Sequence, residues 1–163
     1  MKTSIGLDIG AQAVKAVKIR HDKAGPEFLA FALEANPGAG ALTEVIKRII
    51  HPQDAKNLII SVSGSATVIR YVPFPKMSAD ELMQALKFEA QKHIPFTLAE
   101  VNLDAEILKD DLPENKMLVL LAAAKKEAVS QRLKIIEPAA LKAGAVDIDS
   151  LALLNAFIFN NAA

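Results

Sequence analysis

Ile5-Gly6-Leu7-Asp8-Ile9-Gly10-Ala11-Gln12-Ala13-Val14-Lys15 is the stretch on which the reading of this chain depends. Ile5, Leu7 and Ile9 alternate with Ser4, Gly6 and Asp8, the period of a half-buried strand. A tight turn at Gly10 then sends the chain back into a second strand, Val14-Lys15-Ala16-Val17-Lys18-Ile19. Gly10 has no Cβ, so a ligand can come close to the backbone there. Successive N–H groups in such a turn form a concave anion site, which is what a nucleotide phosphate requires. Asp8, at the entrance, could hold a hydrated Mg²⁺, and Lys15 offers a positive charge to a phosphate oxygen. The candidate phosphate site is therefore Asp8, Gly10, Ala11, Gln12 and Lys15. The same residues also suit a plain hairpin whose turn uses Asp and Gly for geometry, so the decision falls to the rest of the chain.

With 163 residues, 52% of them apolar, the chain can bury a core in one or two compact units and is too apolar for disorder. Lys plus Arg and Asp plus Glu number 19 each. That balance gives no electrostatic footprint for nucleic acid or for an anionic membrane. The lack of cysteine excludes disulfides, thiolate catalysis and cysteine metal sites, and fits a reducing compartment. Gly6, Asp8 and Gly10 interrupt the opening apolar run, unlike a signal peptide. The longest apolar run, Met117 to Ala124, is too short to span a bilayer. The expectation is a soluble, cytoplasmic protein with no direct membrane insertion.

The first third reads β-β-β-α-β. Gly25-Pro26 turns the chain into a third strand, Phe28 to Leu33, which Asn36-Pro37-Gly38 ends. Leu42, Val45, Ile46, Ile49 and Ile50 follow at helical spacing up to Pro52, and Leu58 to Val62 reads as a buried strand. A further strand, Thr67 to Val72, is expected to end at Pro73 and Pro75. Ser78 and Glu81 have the spacing of a capping box, with Met77 and Leu82 as a hydrophobic staple. Their helix runs to about His93 and stops at Pro95, presenting Leu82, Ala85, Leu86, Glu89 and His93 in one stripe widened by Phe88 and Ala90. Two strands follow, Val101 to Leu108 and Met117 to Ala124, joined by a polar turn from Asp110 to Asn115. The last third predicts a helix from Glu127 to Ala143, interrupted near Pro138, with Val129, Leu133, Ile136 and Leu141 inward and Gly144 as its cap. A short strand, Ala145 to Ile148, and a helix from Leu151 to Phe159 capped by Ser150 complete the pattern.

The Asp-x-Gly turn with Lys15 seven residues after Asp8 resembles the first phosphate loop of the ATPase superfamily of actin, heat-shock chaperones and hexokinase. Tyr71-Val72-Pro73-Phe74-Pro75-Lys76-Met77, the helix after it, and His93-Ile94-Pro95-Phe96 resemble the inserted module of PilM-type type IV pilus assembly proteins. Ala145-Val146-Asp147-Ile148-Asp149-Ser150-Leu151 resembles the stretch by which such chains return to their first domain. The resemblance spans essentially the whole chain in the family's order. It implies an α/β fold with an actin-like (ribonuclease H-like) first domain, subdomain 1A, over residues 1–63 and 144–163. An inserted strand-helix-strand-strand (SHS2-like) module, subdomain 1C, would occupy residues 64–143. It further implies a cytoplasmic adaptor, not a metabolic enzyme, held at the inner membrane through partners. Those partners would be the N-terminal peptide of a PilN-like bitopic protein and pilus motor ATPases, with self-association as a further contact. ATP and Mg²⁺ are cofactors of the full-length family. Phe74, Met77, Ile94 and Phe96, gathered around prolines, are the candidate peptide groove, with simple packing of the module as the alternative.

Two departures qualify the resemblance. An actin-like nucleotide site is a cleft between two related halves, and the second Asp-x-Gly turn is missing: Asp147-Ile148-Asp149 lacks the glycine, and the sequence ends at Ala163. The expectation is a chain carrying the first half only, which binds ATP weakly or not at all and does not hydrolyse it. Ala11 also stands where related ATPases often carry Ser or Thr, so one phosphate hydrogen bond, worth about 1 kcal/mol net, cannot form. Three rivals share the architecture. A cell-division protein of the FtsA kind would end in a basic amphipathic helix, whereas Leu151 to Ala163 has no Lys or Arg. The cytoplasmic domain of a type II secretion platform protein is the second. A sugar-kinase-like phosphotransferase, the third, would need another phosphate loop and an Asp base. No catalytic residue is assigned. His21, His51 and His93 lack metal-ligand spacing. Asp110, Asp111 and Glu114 read as a solvated turn, with a hard-cation site as the alternative. Asp147 and Asp149 flank a strand on one face and read as edge or capping residues, with a reach toward the cleft as the alternative.

Overall fold

The computed structural model describes residues 2–161; Met1, Ala162 and Ala163, which the expected domain ranges include, lie outside them. In chain order the elements are β1 (Lys2–Ile9), β2 (Ala13–Asp22), β3 (Gly25–Ala35), α1 (Leu42–Ile49), β4 (Leu58–Val62), β5 (Thr67–Pro75), α2 (Ala79–Glu89), β6 (Val101–Leu112), β7 (Lys116–Lys125), α3 (Lys126–Ile136), β8 (Ala143–Ile148) and α4 (Asp149–Asn161). The chain divides into two compact units, Met1–Ser63 with Val129–Ala163, and Gly64–Ala128.

The first unit is built on a five-stranded sheet in the order β3-β2-β1-β4-β8. β1–β2 and β2–β3 are antiparallel hairpins, whereas β1–β4 and β4–β8 pair in parallel. Alternation sets the register. Ile5, Leu7 and Ile9 of β1, Val14 and Ala16 of β2, and Leu58 and Ile60 of β4 are all buried in one core. Leu42, Val45 and Ile46 of α1 pack into the same core, and Ile136, Ala139 and Leu141 from the end of α3 and the turn after it complete it. Glu44 in the first turn of α1, and Lys47 and Arg48 in its last, match the sign of the helix dipole.

The second unit is a three-stranded antiparallel sheet, β5-β7-β6, with α2 between its first strand and the other two. Val72 and Phe74 of β5, Met117, Val119, Leu121 and Ala123 of β7, and Leu82, Leu86 and Ala90 from α2 and the turn after it form its core. The expected capping box is present. Ser78 Oγ accepts from Glu81 N–H at 3.4 Å, and Glu81 Oε2 accepts from Ser78 N–H at 2.8 Å. Both bonds satisfy N–H groups that the helix cannot pair by itself.

Several boundaries differ from the sequence reading. β5 continues through Pro73 and Pro75, paired with Leu118 and Lys116. N–H directions alternate along a strand, so two prolines two residues apart remove donors from one side only; β5 is an edge strand, and the sheet tolerates this. Phe88 does not widen the buried stripe of α2 but stands 78% exposed. β6 runs on to Leu112, with irregular pairing after Ile107, so Asp110 and Asp111 are strand residues. The helix expected over residues 127–143 stops at Ile136, with a short turn at Glu137–Ala139. Pro138 has no N–H to continue it, and Ala140 (φ 56°), not Gly144, takes the left-handed position. Gly144 lies in β8, and Leu133 is 39% exposed. The last helix starts at Asp149, so Ser150 lies inside it. The inserted unit ends at Ala128 and not at residue 143. The reason is the packing of Ile136, Ala139 and Leu141 into the core of the first unit.

Candidate phosphate-binding turn

The β1–β2 register sets Asp8 opposite Lys15, one residue along from the buried Leu7–Ala16 and Ile9–Val14 pairs. Successive side chains alternate between faces, so Asp8 and Lys15 share the face away from the core. Lys15 Nζ donates to Asp8 Oδ2 at 2.7 Å. Their side chains are 54% and 44% exposed, so the pair adds little to stability and either partner can be drawn to a ligand. Ser61, at the equivalent level of β4, points its hydroxyl at Asp8 Oδ1, 3.4 Å away.

Gly10 closes the turn by donating its N–H to Ala13 O at 2.9 Å. A Cβ at this position would stand 3.0 Å from Ala13 O, with Lys15 Nζ at 3.7 Å and Asp8 Oδ2 at 3.9 Å. Glycine leaves room for this close approach, where a methyl would press on Ala13 O. The turn's carbonyls are bonded from elsewhere in the first unit. Arg132 Nη1 of α3 donates to Ile9 O at 2.7 Å, Asn36 Nδ2 to Gly10 O at 2.7 Å, and Asn36 N–H to Gln12 O at 2.8 Å. Ala11 and Gln12 are exposed at the tip.

Beside the turn lies a groove of about 610 Å³ in which Asp8, Lys15, Ser61, Asp147 and Asp149 supply the polar groups. Val17, Phe31, Leu33, Ile59 and Leu153 form much of its apolar wall. Of the five residues expected from sequence, Asp8 and Lys15 line this groove; Gly10, Ala11 and Gln12 form the adjoining turn and do not. Asp147 arrives because β8 pairs with β4 at Ser61, and Asp149 because it opens α4. Each also accepts the N–H of the next residue, Ile148 at 2.7 Å and Ser150 at 2.6 Å. Carboxylate and hydroxyl oxygens are the hard donors that suit hydrated Mg²⁺. Among the described residues no three acidic or histidine side chains converge on one metal position, so a cation here would be held largely through its own waters.

Sequence reasoning missed Ser61, Asn36 and Arg132, because residues 36, 61 and 132 reach the turn only through strand pairing and helix packing. The candidate peptide groove is corrected. Phe74 and Ile94 are 4% and 5% exposed in the core of the second unit, with Met77 and Phe96 packed against it. Strand alternation turns Phe74 inward between the two exposed prolines, so Phe74 and Ile94 are core residues of the module and Met77 and Phe96 pack half-buried against them. Asp110, Asp111 and Glu114 sit near Lys76, Lys109 and Lys116 as surface ion pairs.

A mixed sheet in the order β3-β2-β1-β4-β8, with an Asp-x-Gly turn joining β1 to β2 and a separate three-stranded module inserted after β4, defines the actin-like ATPase fold of the PilM kind. The family model described as type IV pilus assembly protein PilM matches residues 6–162, and the chain belongs to that family. A solved PilM–PilN type IV pilus biogenesis complex is similar over 91% of this chain, with a TM-score of 0.75 and 28% identity. This chain spans 48% of the length of that one. The cytoplasmic domain of EpsL, an inner membrane component of the type II secretion system of Vibrio cholerae, matches 89% of this chain and 57% of its own, with a TM-score of 0.59. At 12% identity that likeness shows a shared fold alone. Among the described residues, no helix is long and apolar enough to cross a membrane.

Proposed function

We propose that this chain acts as a cytoplasmic adaptor in type IV pilus assembly, binding the N-terminal peptide of a PilN-like membrane protein. Through that peptide it would be held at the inner membrane. The observation that carries the reading is the likeness to a chain of a solved PilM–PilN complex, at 28% identity over 91% of this chain, together with the PilM family match. In this reading the β1–β2 turn is one side of a nucleotide site. The N–H groups of Ala11 and Gln12 meet a phosphate, Lys15 leaves Asp8 for a phosphate oxygen, and Asp8 with Ser61 orients the waters of Mg²⁺. ATP with Mg²⁺ is the fitting ligand class, since the groove beside the turn joins an apolar wall to a polar end.

We further expect weak binding of ATP and no hydrolysis, because among the described residues a single Asp-x-Gly turn adjoins this groove. Calorimetry with Mg·ATP tests this, and micromolar affinity would refute it. The adaptor role is tested by titrating a synthetic PilN N-terminal peptide into the folded chain. Saturable heat, and capture of the chain by immobilised peptide, are the expected results. A folded chain that gives neither would end the adaptor reading for these residues.

A further inference from the structure

The carbonyls of Ile9, Gly10, Gln12 and Ala13 are each held by a donor within the first unit. Among the described residues, no hydrogen bond uses the N–H of Ala11 or of Gln12. These two facts are linked by the geometry of the peptide group. In a trans peptide the C=O and the N–H that follows it point in opposite directions. The bond from Asn36 Nδ2 to Gly10 O therefore aims the Ala11 N–H away from Asn36 and out of the turn. The bond from Arg132 Nη1 to Ile9 O does the same for the Gly10 N–H, which closes the turn onto Ala13 O. A donor on the carbonyl also polarises the peptide and strengthens the N–H opposite.

We propose that Asn36 and Arg132 are positioning residues of the phosphate turn, which keep carbonyl oxygens off a bound phosphate and present the Ala11 N–H to it. This rests on the phosphate reading of the turn given above. The role matters more in this chain than in one with a hydroxyl at the tip, since Ala11 has only its backbone donor to offer. Asn36 is fixed for the task by its own Oδ1, which accepts the Gly38 N–H at 2.9 Å, and by its backbone bond to Gln12. Arg132 comes from α3, so the turn is clamped by two segments far apart in sequence.

The experiment is amide NMR of the ¹⁵N-labelled chain, free and titrated with inorganic pyrophosphate and with Mg·ATP. In the native chain the Ala11 and Gln12 amides should be ordered and should shift on titration. Asn36→Ala, which changes no charge, should loosen the Ala11 amide in the free chain and weaken pyrophosphate binding about tenfold. Arg132→Met should act in the same direction, and Arg132→Lys, which can still donate to Ile9 O, should recover most of the response. Unchanged Ala11 order and unchanged pyrophosphate response in both Asn36→Ala and Arg132→Met overturn the proposal. A native chain with an ordered turn that is silent to both ligands, but loosened by the substitutions, overturns the anion role and the phosphate reading together, and leaves only a turn lock.

Discussion

The two sheets of this chain are built by the same rule of alternation and put it to opposite use. In the second unit Val72, Phe74, Met117, Val119 and Leu121 fill one face of the sheet, and the face supplies packing alone. In the first unit one face is equally apolar, but the other gathers Asp8, Lys15, Ser61 and Asp147 from four strands around a groove. The difference lies in strand direction. Parallel pairing of β1, β4 and β8 brings the C-terminal ends of three strands to one edge, where their loops and last side chains can serve one ligand. An antiparallel three-stranded module has no such common edge.

The largest test of this division is Leu86→Ala in the second unit. Leu86 is 1% exposed, and the truncation should cost about 2–5 kcal/mol in chemical denaturation. The Ala11 and Gln12 amides should keep their native NMR positions while the second unit loosens; a turn that melts with it would break the contrast. Gly10→Ala is the counterpart in the first unit. Its new methyl meets Ala13 O at 3.0 Å, a backbone atom that must move, so a cost of about 1–3 kcal/mol is expected together with loss of any pyrophosphate response.

The sequence read these two sites with different success, for a physical reason. Asp8, Gly10 and Lys15 lie within one hairpin, where local alternation dictates register, and so their meeting was legible. The capping box of Ser78 and Glu81 was equally legible, because its bonds span three residues. Ser61 and Arg132 were not, since they reach the turn through parallel pairing and helix packing across more than fifty positions. The end of β5 was misread because Pro73 and Pro75 look like the end of a strand, when an edge strand accommodates them on its outer side.

Smaller effects sharpen the picture. Ser78→Ala should cost about 1 kcal/mol, seen as a modest shift of the denaturation midpoint of the second unit. Asp8→Asn should cost less than that, about 0–1 kcal/mol, since the exposed pair with Lys15 contributes little, yet it should alter the shifts that Mg·ATP induces near the turn. The smallest effect concerns acid. Backbone and side-chain hydrogen bonds from Ser78 hold the Glu81 carboxylate below its ordinary range. Glu100 is lowered too, by the Thr97 hydroxyl first and then by its backbone N–H. A lowered native pKa means that the contribution is present above the ordinary carboxylate range and is lost as pH falls through the native value. Both carboxylates are fully solvated, so the change in stability is slight; NMR titration should place both below an unstructured glutamate, with Ser78→Ala returning Glu81 toward it.

Pro73 and Pro75 have a consequence beyond the length of β5. Sheet borders with every donor intact invite a foreign strand to zip alongside, the first move in cross-β stacking. Here the outer rim of β5 lacks two consecutive outward donors, so a passing polypeptide would meet gaps instead of a ladder. On the opposite rim, the register slips of β6 beyond Ile107 spoil the straight template in another way. A sheet of only three strands thereby discourages unplanned extension on both sides through the backbones of its own edge strands.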